Sequence, residues 1–287
     1  MKNYSITVII PVKERFNLFY KALNSIEKQT YLPKNIIVID DCSNNTLKIN
    51  IKKYKKFNIK LIRNKKNKGV SASRNLGIKL SKTKYISFLD TDDLWLKKKL
   101  EIQFNLAEKN KLDFIYTNSS DNNKKSFIKE NNKIVLNKLI NLWSHPNCSC
   151  LFFKTIALKK IGKFDENLKG SEDHDLWFRI ALSKISVGRI NKNYVKIAKR
   201  NKFQISRNYK IRNSSIKIFL NKYKKIIPQK KYEIYKRELY ARAFIPVLND
   251  GILKFNILKV VFSLRYLIFS KIFYKRYFDY LFRNFLN

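Results

Sequence analysis

The first hundred residues alternate between short apolar runs and amphipathic stretches. The apolar runs are continuous, which is typical of strands that are buried on both faces of a parallel sheet. Between the first two runs, apolar residues recur at helical spacing, for example at Phe16, Phe19 and Leu23. The predicted strands are Ile6–Ile10, which we expect Pro11 to end, followed by Ile36–Ile39, Ile59–Ile62 and Tyr85–Leu89.

The stretches between these strands predict helices over Phe16–Gln29 and Ser71–Leu80, the second with Ser71 as its N-cap. This β-α-β-α-β order predicts a parallel sheet with right-handed crossovers. The carboxyl ends of its strands share one edge, where α/β proteins bind their ligands. Because each predicted strand ends in polar residues, that edge should collect Glu14, Asp40, Asp41, Arg74, Asp90 and Asp92.

The pattern changes in the second half of the chain. The elements predicted there are strands over Leu112–Tyr116 and Ser149–Phe153, a helix over Thr155–Ile161 that Gly162 ends, and a helix over Glu172–Leu182. Beyond about residue 206 the pattern predicts only long helices rich in Lys, Tyr and Phe. We therefore expect an α/β domain over residues 1–205 and a basic, aromatic-rich helical region over residues 206–287.

Composition narrows the class of protein. The chain has 287 residues, 45% of them hydrophobic, which is enough for a folded core. Three cysteines and the lack of a leader-like apolar stretch after Met1 favour a cytoplasmic location. The formal charge of +41 favours polyanionic partners, namely nucleic acid, anionic lipid or phosphorylated substrates. Lys, Asn and Ile are abundant throughout, as an AT-rich genome would also produce, so charge alone does not choose among them.

The strand at Tyr85–Leu89 runs directly into Asp90-Thr91-Asp92-Asp93. Carboxylates so close together repel each other unless a cation lies among them. Oxygen ligands on a short turn suit a hard divalent ion such as Mg²⁺ or Mn²⁺. The alternative is an acidic N-cap for a helix that begins at Leu94.

Three other polar groups have both a functional and an ordinary interpretation. Asp40-Asp41 either accepts hydrogen bonds from a nucleoside or is a simple acidic turn. Arg74 either binds phosphate through its fork of donors or lies on a helix surface. The run Glu172–Asp175 either supplies a general base or complements the helix dipole. With only two histidines in the chain, a metal site built on His174 is disfavoured.

The last segment, Phe255–Asn287, places apolar residues on one helical face and interrupts them with Lys and Arg. None of its apolar runs reaches the length of a membrane span. Interleaved basic and aromatic residues suit binding at an anionic membrane surface. The alternative is a helical hairpin packed on the domain with a solvated basic face.

Taken in order, these segments resemble the family 2 glycosyltransferases, whose nucleotide-sugar-binding fold is called GT-A. The resemblance covers roughly residues 5–200. It rests on Val8–Val12 with Glu14-Arg15, and on Ile39–Ser43, Asn67–Gly77, Phe88–Asp93, Ile161–Glu166 and Glu172–Arg179.

The resemblance implies a role for each motif. Asp90-Thr91-Asp92 would be the D-x-D signature, which binds Mg²⁺ or Mn²⁺ that bridges the diphosphate of the donor. The residues implied in the nucleoside pocket and near the phosphates are Pro11, Val12, Glu14, Asp40 or Asp41, and Arg74. Asp173 matches the catalytic base, with Glu172 beside it. The implied reaction is an inverting transfer to an acceptor hydroxyl.

The resemblance therefore implies a metal-dependent glycosyltransferase that uses a nucleotide-diphosphate-sugar donor, and composition places it in the cytoplasm. We expect its acceptor to be a surface polysaccharide or a lipid-linked oligosaccharide, with the basic tail at the inner leaflet. A nucleic-acid-binding protein would leave the acidic clusters unexplained, so no nucleic acid partner is expected. A nucleotidyltransferase would carry a Gly-rich loop where this chain has Pro11–Glu14.

Overall fold

A computed structural model of the chain describes residues 3–50, 54–118, 127–141, 145–197 and 208–253. The strands are β1 (Asn3–Val12), β2 (Leu32–Asp40), β3 (Asn58–Arg63), β4 (Tyr85–Phe88), β5 (Leu94–Trp95), β6 (Phe114–Asn118), β7 (Phe127–Glu130), β8 (Leu151–Lys154), β9 (Val187–Asn193) and β10 (Val195–Lys196). The helices are α1 (Phe16–Glu27), α2 (Val70–Leu80), α3 (Lys99–Lys109), α4 (Asn132–Ile140), α5 (Thr155–Ile161), α6 (Glu172–Leu182), α7 (Tyr209–Tyr223) and α8 (Gln229–Leu253).

These elements fall into two compact units. The first holds Met1–Asn137, Ser144–Glu166 and Leu176–Lys199, and the second holds Lys138–Trp143, Asn167–Asp175 and Arg200–Asn287. The first turn of α6 therefore belongs to the second unit, together with α7 and α8. The division into domains at residues 205 and 206 stays a prediction.

The first unit is built on a mixed sheet of eight strands in the order β3-β2-β1-β4-β8-β6-β9-β7. Strands β1 to β4 are parallel to one another, which confirms the sheet predicted from their continuous apolar runs. Strand β8 is antiparallel to both β4 and β6, so the sheet changes direction there. Strands β5 and β10 form a separate antiparallel pair.

Close packing of α2 on the sheet sets the position of the Arg74 motif that this helix carries. A Cβ added at Gly77 would lie 2.5 Å from Ile9 Cγ2, closer than real side chains approach. Glycine therefore lets α2 lie directly against β1. One turn earlier on the same helix, Arg74 is brought to the carboxyl edge of the parallel strands.

Two local expectations were wrong. Pro11 does not end β1, which continues to Val12. The pairing of β1 with β4 stops at Ile9 and Phe88, so the missing amide of Pro11 lies beyond that ladder. Residues Cys148–Cys150 form a 3₁₀ turn, and β8 begins only after it.

The described residues beyond 206 form the helices α7 and α8, with a turn at residues 224–228 between them. No helix in the described ranges carries an apolar stretch long enough to cross a membrane. The basic tail at Phe255–Asn287, for which we predicted a membrane surface or a packed hairpin, lies outside the described residues.

Candidate active site

The acidic turn Asp90–Asp93 joins β4 to β5, and two arginines contact its carboxylates. Arg74 Nη2 lies 2.6 Å from Asp90 Oδ1, and Arg15 Nη1 lies 3.1 Å from Asp92 Oδ2. The repulsion between the two aspartates is therefore relieved partly by cations of the chain itself. Each carboxylate keeps a second oxygen outside its arginine contact.

Asp93 has a different role from its neighbours. Its amide donates to the Asp90 carbonyl at 3.0 Å, and its buried carboxylate accepts from Asn147 Nδ2 at 2.8 Å. No helix begins here: α3 begins at Lys99, and its N-cap, Lys98, makes no side-chain capping bond. The capping alternative for the acidic turn is therefore wrong, because the chain first passes through β5.

The Arg74–Asp90 contact is held on both sides. Arg74 is only 4% exposed in its side chain, and its guanidinium carbon lies 5.2 Å from the centre of the Phe164 ring. The Asp90 amide donates to Ser149 Oγ at 3.0 Å, while the Asp90 side chain is 27% exposed. A buried arginine thus supports a carboxylate that solvent can reach.

The turn after β1 has an unusual backbone. Glu14 and Arg15 have φ values of 53° and 55°, in the left-handed region that favours glycine. The Glu14 amide donates to Ser43 Oγ at 2.9 Å, and the Asn44 amide donates to Glu14 Oε1 at 2.6 Å. These bonds to the loop after β2 hold the conformation that directs Arg15 towards the acidic turn.

Pro11 and Val12 end β1 beside the end of β2, where Val12 pairs with Asp40. Asp40 is buried, and its carboxylate accepts from the Ser43 amide at 3.0 Å and lies 3.5 Å from Arg63 Nη1. The predicted nucleoside-binding residues of the two strands therefore do meet at one edge, although Asp40 already has partners.

Asp41 organises the loop that leads to α2. Its carboxylate accepts from Asn64 Nδ2 at 2.8 Å and from the amides of Lys68 and Gly69 at 2.9 and 2.8 Å. Gly69 is the N-cap of α2, with φ 89° and no side-chain capping bond, so the expected cap at Ser71 is wrong. The Asp41 carboxylate, which comes from another loop, accepts the hydrogen bonds of the amides at the start of α2 in place of an N-cap side chain.

Glu172 and Asp173 lie in the second unit, in the first turn of α6. Glu172 Oε2 accepts from the Gly170 amide at 3.0 Å. Asp173 is half-buried, and its Oδ1 accepts from the amide of His174 at 2.8 Å. Both carboxylates thus contact backbone donors at the start of the helix, as acids at a helix N-terminus often do.

The next two residues of α6 are held by α7 and α8. His174 Nε2 and the Tyr235 hydroxyl are hydrogen-bonded at 2.6 Å, and burial raises the pKa of Tyr235, so this hydroxyl stays protonated. Asp175 is fully buried and accepts from the Tyr223 hydroxyl at 2.8 Å and from Lys222 Nζ at 2.7 Å.

The sequence analysis missed a buried lysine at the start of α3. Lys99 Nζ donates to Gln103 Oε1 at 2.7 Å and to Ser87 Oγ at 3.1 Å, and it lies 3.9 Å from the centre of a Trp95 ring. Burial lowers the pKa of Lys99 to about 7. In the sequence it was one of three consecutive lysines, which gave no sign that one of them points inward.

Other missed residues support the acidic turn from a distance along the chain. Ser149 and Asn147 come from the segment before β8, and Arg15 comes from the turn after β1. Arg15 follows Glu14 inside one of the motifs that carry the family resemblance, so the sequence did contain a signal for Arg15. The other two carried none, because their partners are more than fifty positions away.

The donor set at the acidic turn suits a divalent ion that substrate phosphates complete. Among the described residues, no group of three or more His, Cys, Asp or Glu is arranged to hold a metal ion. Mg²⁺ typically takes only one or two carboxylates and fills its other positions with water and phosphate oxygens. Asp90 and Asp92 supply that many, so the residues fit such an ion.

The matches to known proteins cover the same motifs. The sequence profile described as Glycosyl transferase family 2 matches residues 7–163. That range includes the turn after β1, Asp40-Asp41, Arg74 and the acidic turn.

Among curated relatives, an uncharacterized glycosyltransferase of Rickettsia conorii is 36% identical over 207 residues, which are 69% of this chain and 33% of that protein. The chain thus spans about a third of this relative's length. An Escherichia coli protein, the UDP-Glc:alpha-D-GlcNAc-diphosphoundecaprenol beta-1,3-glucosyltransferase WfgD, is 30% identical over 202 residues, covering 68% of this chain and 76% of WfgD.

Among solved structures, TarS of S. aureus in complex with UDP-GlcNAc aligns with 91% of this chain and 79% of its own, at a TM-score of 0.59 and 21% identity. The same protein in complex with UDP aligns at a TM-score of 0.57 and 19% identity. These alignments confirm the GT-A fold that the sequence motifs implied. Because the profile covers more than half of the sequence, the chain belongs to glycosyl transferase family 2.

Proposed function

We propose that the chain is an inverting glycosyltransferase that moves a sugar from a nucleotide-diphosphate donor to an acceptor hydroxyl. The observation that carries the proposal is the acidic turn, where Asp90 and Asp92 lie against Arg74 and Arg15. It lies at the carboxyl end of the parallel strands, where α/β proteins bind ligands. The family assignment makes a diphosphate the natural ligand for this mixture of acids and arginines.

The donor side of the reaction belongs to the first unit. The nucleoside would be bound by Pro11, Val12 and Glu14, with Asp40 or Asp41. The diphosphate would be held by Arg74. Asp41 suits an indirect role better than Asp40, because three hydrogen bonds already engage its carboxylate. Asp90 and Asp92 would hold Mg²⁺ or Mn²⁺. When bound, the ion would stabilise the negative charge of the departing nucleoside diphosphate.

Asp173 would act as general base. It takes the proton of the acceptor hydroxyl while that oxygen bonds to the anomeric carbon, and the bond from this carbon to the diphosphate oxygen breaks. Attack from the face opposite the leaving group inverts the configuration, and no covalent intermediate forms. Only one oxygen of Asp173 has a hydrogen bond within the described ranges, to the His174 amide, which leaves the other for the acceptor. Glu172 would support the same turn.

The acceptor that we propose is a lipid-linked saccharide used in bacterial surface polysaccharide synthesis. WfgD, the relative with the larger matched share of its own length, is named for transfer of glucose to a diphosphoundecaprenol-linked GlcNAc. TarS binds UDP and UDP-GlcNAc in its structures, which makes a UDP-sugar the first donor to test.

We further propose that the protein is cytoplasmic and works at the inner face of the membrane, where its basic tail binds anionic lipid. Support comes from the charge of +41 and from the interleaved basic and aromatic residues of the tail. Removal of residues 252–287 should release the protein from vesicles that contain anionic lipid. Unchanged vesicle binding would instead favour a tail that packs on the protein.

A thermal-shift screen of UDP-, GDP- and dTDP-sugars, each with and without Mn²⁺, tests the donor assignment. We expect one nucleotide class to raise the melting temperature, with a larger rise in Mn²⁺. The variant Asp92→Ala should lose the part that depends on Mn²⁺. Absence of any shift with all three classes would contradict the proposed donor site.

A further inference from the structure

We propose that α7 and α8 hold the first turn of α6 in its working position, so that His174, Asp175, Tyr223 and Tyr235 are positioning residues for Asp173. This inference rests on the proposed function, in which Asp173 is the general base. It assigns a role in the reaction to the helices that follow residue 206, for which sequence and family resemblance gave none.

Three consecutive side chains of the turn point in three directions. Successive residues of an α-helix are rotated by about 100°, so Asp173, His174 and Asp175 cannot share one face. His174 and Asp175 are buried, at 8% and 0% exposure, whereas Asp173 is half-buried. The two residues that point inward therefore fix the direction in which the third points.

His174 is held by one hydrogen bond and one aromatic contact. Its Nε2 is 2.6 Å from the Tyr235 hydroxyl, and its ring centre is 4.8 Å from that of Phe219. Tyr235 and Phe219 are each only 1% exposed. A ring that is held by a hydrogen bond at one nitrogen and by a tilted aromatic neighbour has little freedom to change rotamer.

The anchor at Asp175 is a buried charge with two donors. Tyr223 donates to it at 2.8 Å and Lys222 at 2.7 Å. Buried ion pairs contribute little net stability, because desolvation offsets the attraction, but loss of one partner leaves a costly unpaired charge. Such a pair is better explained by the geometry that it enforces than by the stability that it adds.

The loop before α6 is tied to the same helices. Ser215 Oγ, on α7, donates to the Lys169 carbonyl at 2.7 Å. The Gly170 amide, in turn, donates to Glu172 at 3.0 Å. The first turn of α6 is thus held from its loop side and from its buried side. A general base must be held within a fraction of an ångström of its productive position, since even small displacements reduce the rate steeply.

The test removes one hydroxyl at a time from the full-length chain. Tyr223→Phe and Tyr235→Phe keep the ring and delete the hydroxyl that bonds to Asp175 or to His174. The matched control is Tyr232→Phe, because Tyr232 lies on α8 within one turn of Tyr235 and is partly exposed. For each variant, kcat, the KM for the donor and the melting temperature are measured.

We expect each positioning variant to lower kcat about 10-fold while the donor KM changes by less than about twofold. The control should match the wild type. Lys222→Met, at a lysine whose side chain is 35% exposed, removes the charged partner of Asp175 but keeps the Tyr223 bond, and should lower kcat per folded molecule about threefold. If kcat falls only in proportion to the folded fraction, the residues serve stability alone and the inference is wrong.

Asp173→Asn, assayed in parallel, separates this inference from the function on which it rests. If Asp173→Asn retains substantial transfer, the assignment of the base fails and the positioning role fails with it. If Asp173→Asn abolishes transfer but the tyrosine variants keep the kcat of the control, only the positioning role fails.

Discussion

The chain carries two acidic clusters of similar composition that are neutralised in opposite ways. At the acidic turn Asp90–Asp93, the partners of the half-buried carboxylates of Asp90 and Asp92 are arginines, at 2.6 and 3.1 Å. In the first turn of α6, the charged partner goes to the buried Asp175, while Asp173 contacts only a backbone amide within the described part of the chain. Positive charge thus lies beside the cluster that would hold a diphosphate and away from the carboxylate that would accept a proton.

This difference follows from the chemistry proposed for each cluster. A site for a diphosphate gains from nearby cations, since they strengthen anion binding. A general base loses from them, because a cation lowers the pKa of a carboxylate and makes it a weaker proton acceptor. Four substitutions test this contrast, and they are given in order of decreasing expected effect.

Asp173→Asn should reduce kcat by about 1,000-fold, because the amide cannot accept the proton of the acceptor hydroxyl. Donor binding should survive, since the proposed donor contacts lie in the first unit. Steady-state transfer assays and calorimetric titration of the donor measure the two effects. Substantial residual transfer would remove Asp173 as the base.

Asp92→Ala should weaken donor binding in Mn²⁺ by at least about 10-fold, because one of two proposed carboxylate ligands is lost. Calorimetry with and without Mn²⁺ gives the measurement. Glu101→Gln is the matched control: Glu101 is a partly exposed acid on α3 that accepts from Thr30 Oγ1. Equal donor affinity in Asp92→Ala and in the control would refute the metal role.

Lys99→Met should change how the free energy of unfolding depends on pH. The partners of Lys99, Gln103 and Ser87, are neutral, whereas Lys222 is paired with the charge of Asp175. The pKa of Lys99 is lowered from 10.5 to about 7, so between these values the unfolded chain binds the extra proton. The free energy of unfolding of the wild type should therefore rise by roughly 1 kcal/mol per pH unit in that window.

The Lys99→Met variant should lose this rise, whereas Lys98→Met, at the exposed neighbouring lysine, should keep it. Urea denaturation at several pH values between 7 and 10 provides the comparison. Parallel curves for the two variants would mean that Lys99 does not titrate in the folded protein within that range.

Arg15→Met should tighten Mn²⁺ binding about threefold in the presence of donor, because Arg15 and the ion compete for Asp92. The effect is small since the Arg15 side chain is 34% exposed. Titration of Mn²⁺ at fixed UDP-sugar concentration measures it. Unchanged or weaker Mn²⁺ binding in this variant would mean that Arg15 does not compete with the ion for Asp92.

The sequence was sufficient for the parallel half of the sheet. Continuous apolar runs of β1 to β4 and helical spacing in α1 and α2 are local signals, and their ends were predicted within a few residues. Strands β7, β9 and β10 were missed because their polar and apolar residues follow no simple period. Their place is decided by pairing with distant strands.

For the candidate site, the sequence identified the acids and Arg74 but not their partners. Asp41 was predicted as a nucleoside contact, yet its carboxylate is engaged by Asn64, Lys68 and Gly69. That arrangement depends on how the loop after β3 folds back, which no local pattern specifies. For the same reason, nothing in the acidic run at 172–175 indicated which of its carboxylates is buried.

The backbone at Glu14 and Arg15 has a consequence for laboratory evolution of this enzyme. Each left-handed, non-glycine residue costs about 1–2 kcal/mol, and here two are consecutive. Selection for heat resistance alone would favour glycine at these positions, since glycine adopts this conformation without strain. Glycine at Arg15 would delete the cation beside Asp92, and at Glu14 it would delete the carboxylate that ties the turn to Asn44. At Glu14, which we propose as a nucleoside contact, thermostability and sugar transfer would thus select different residues.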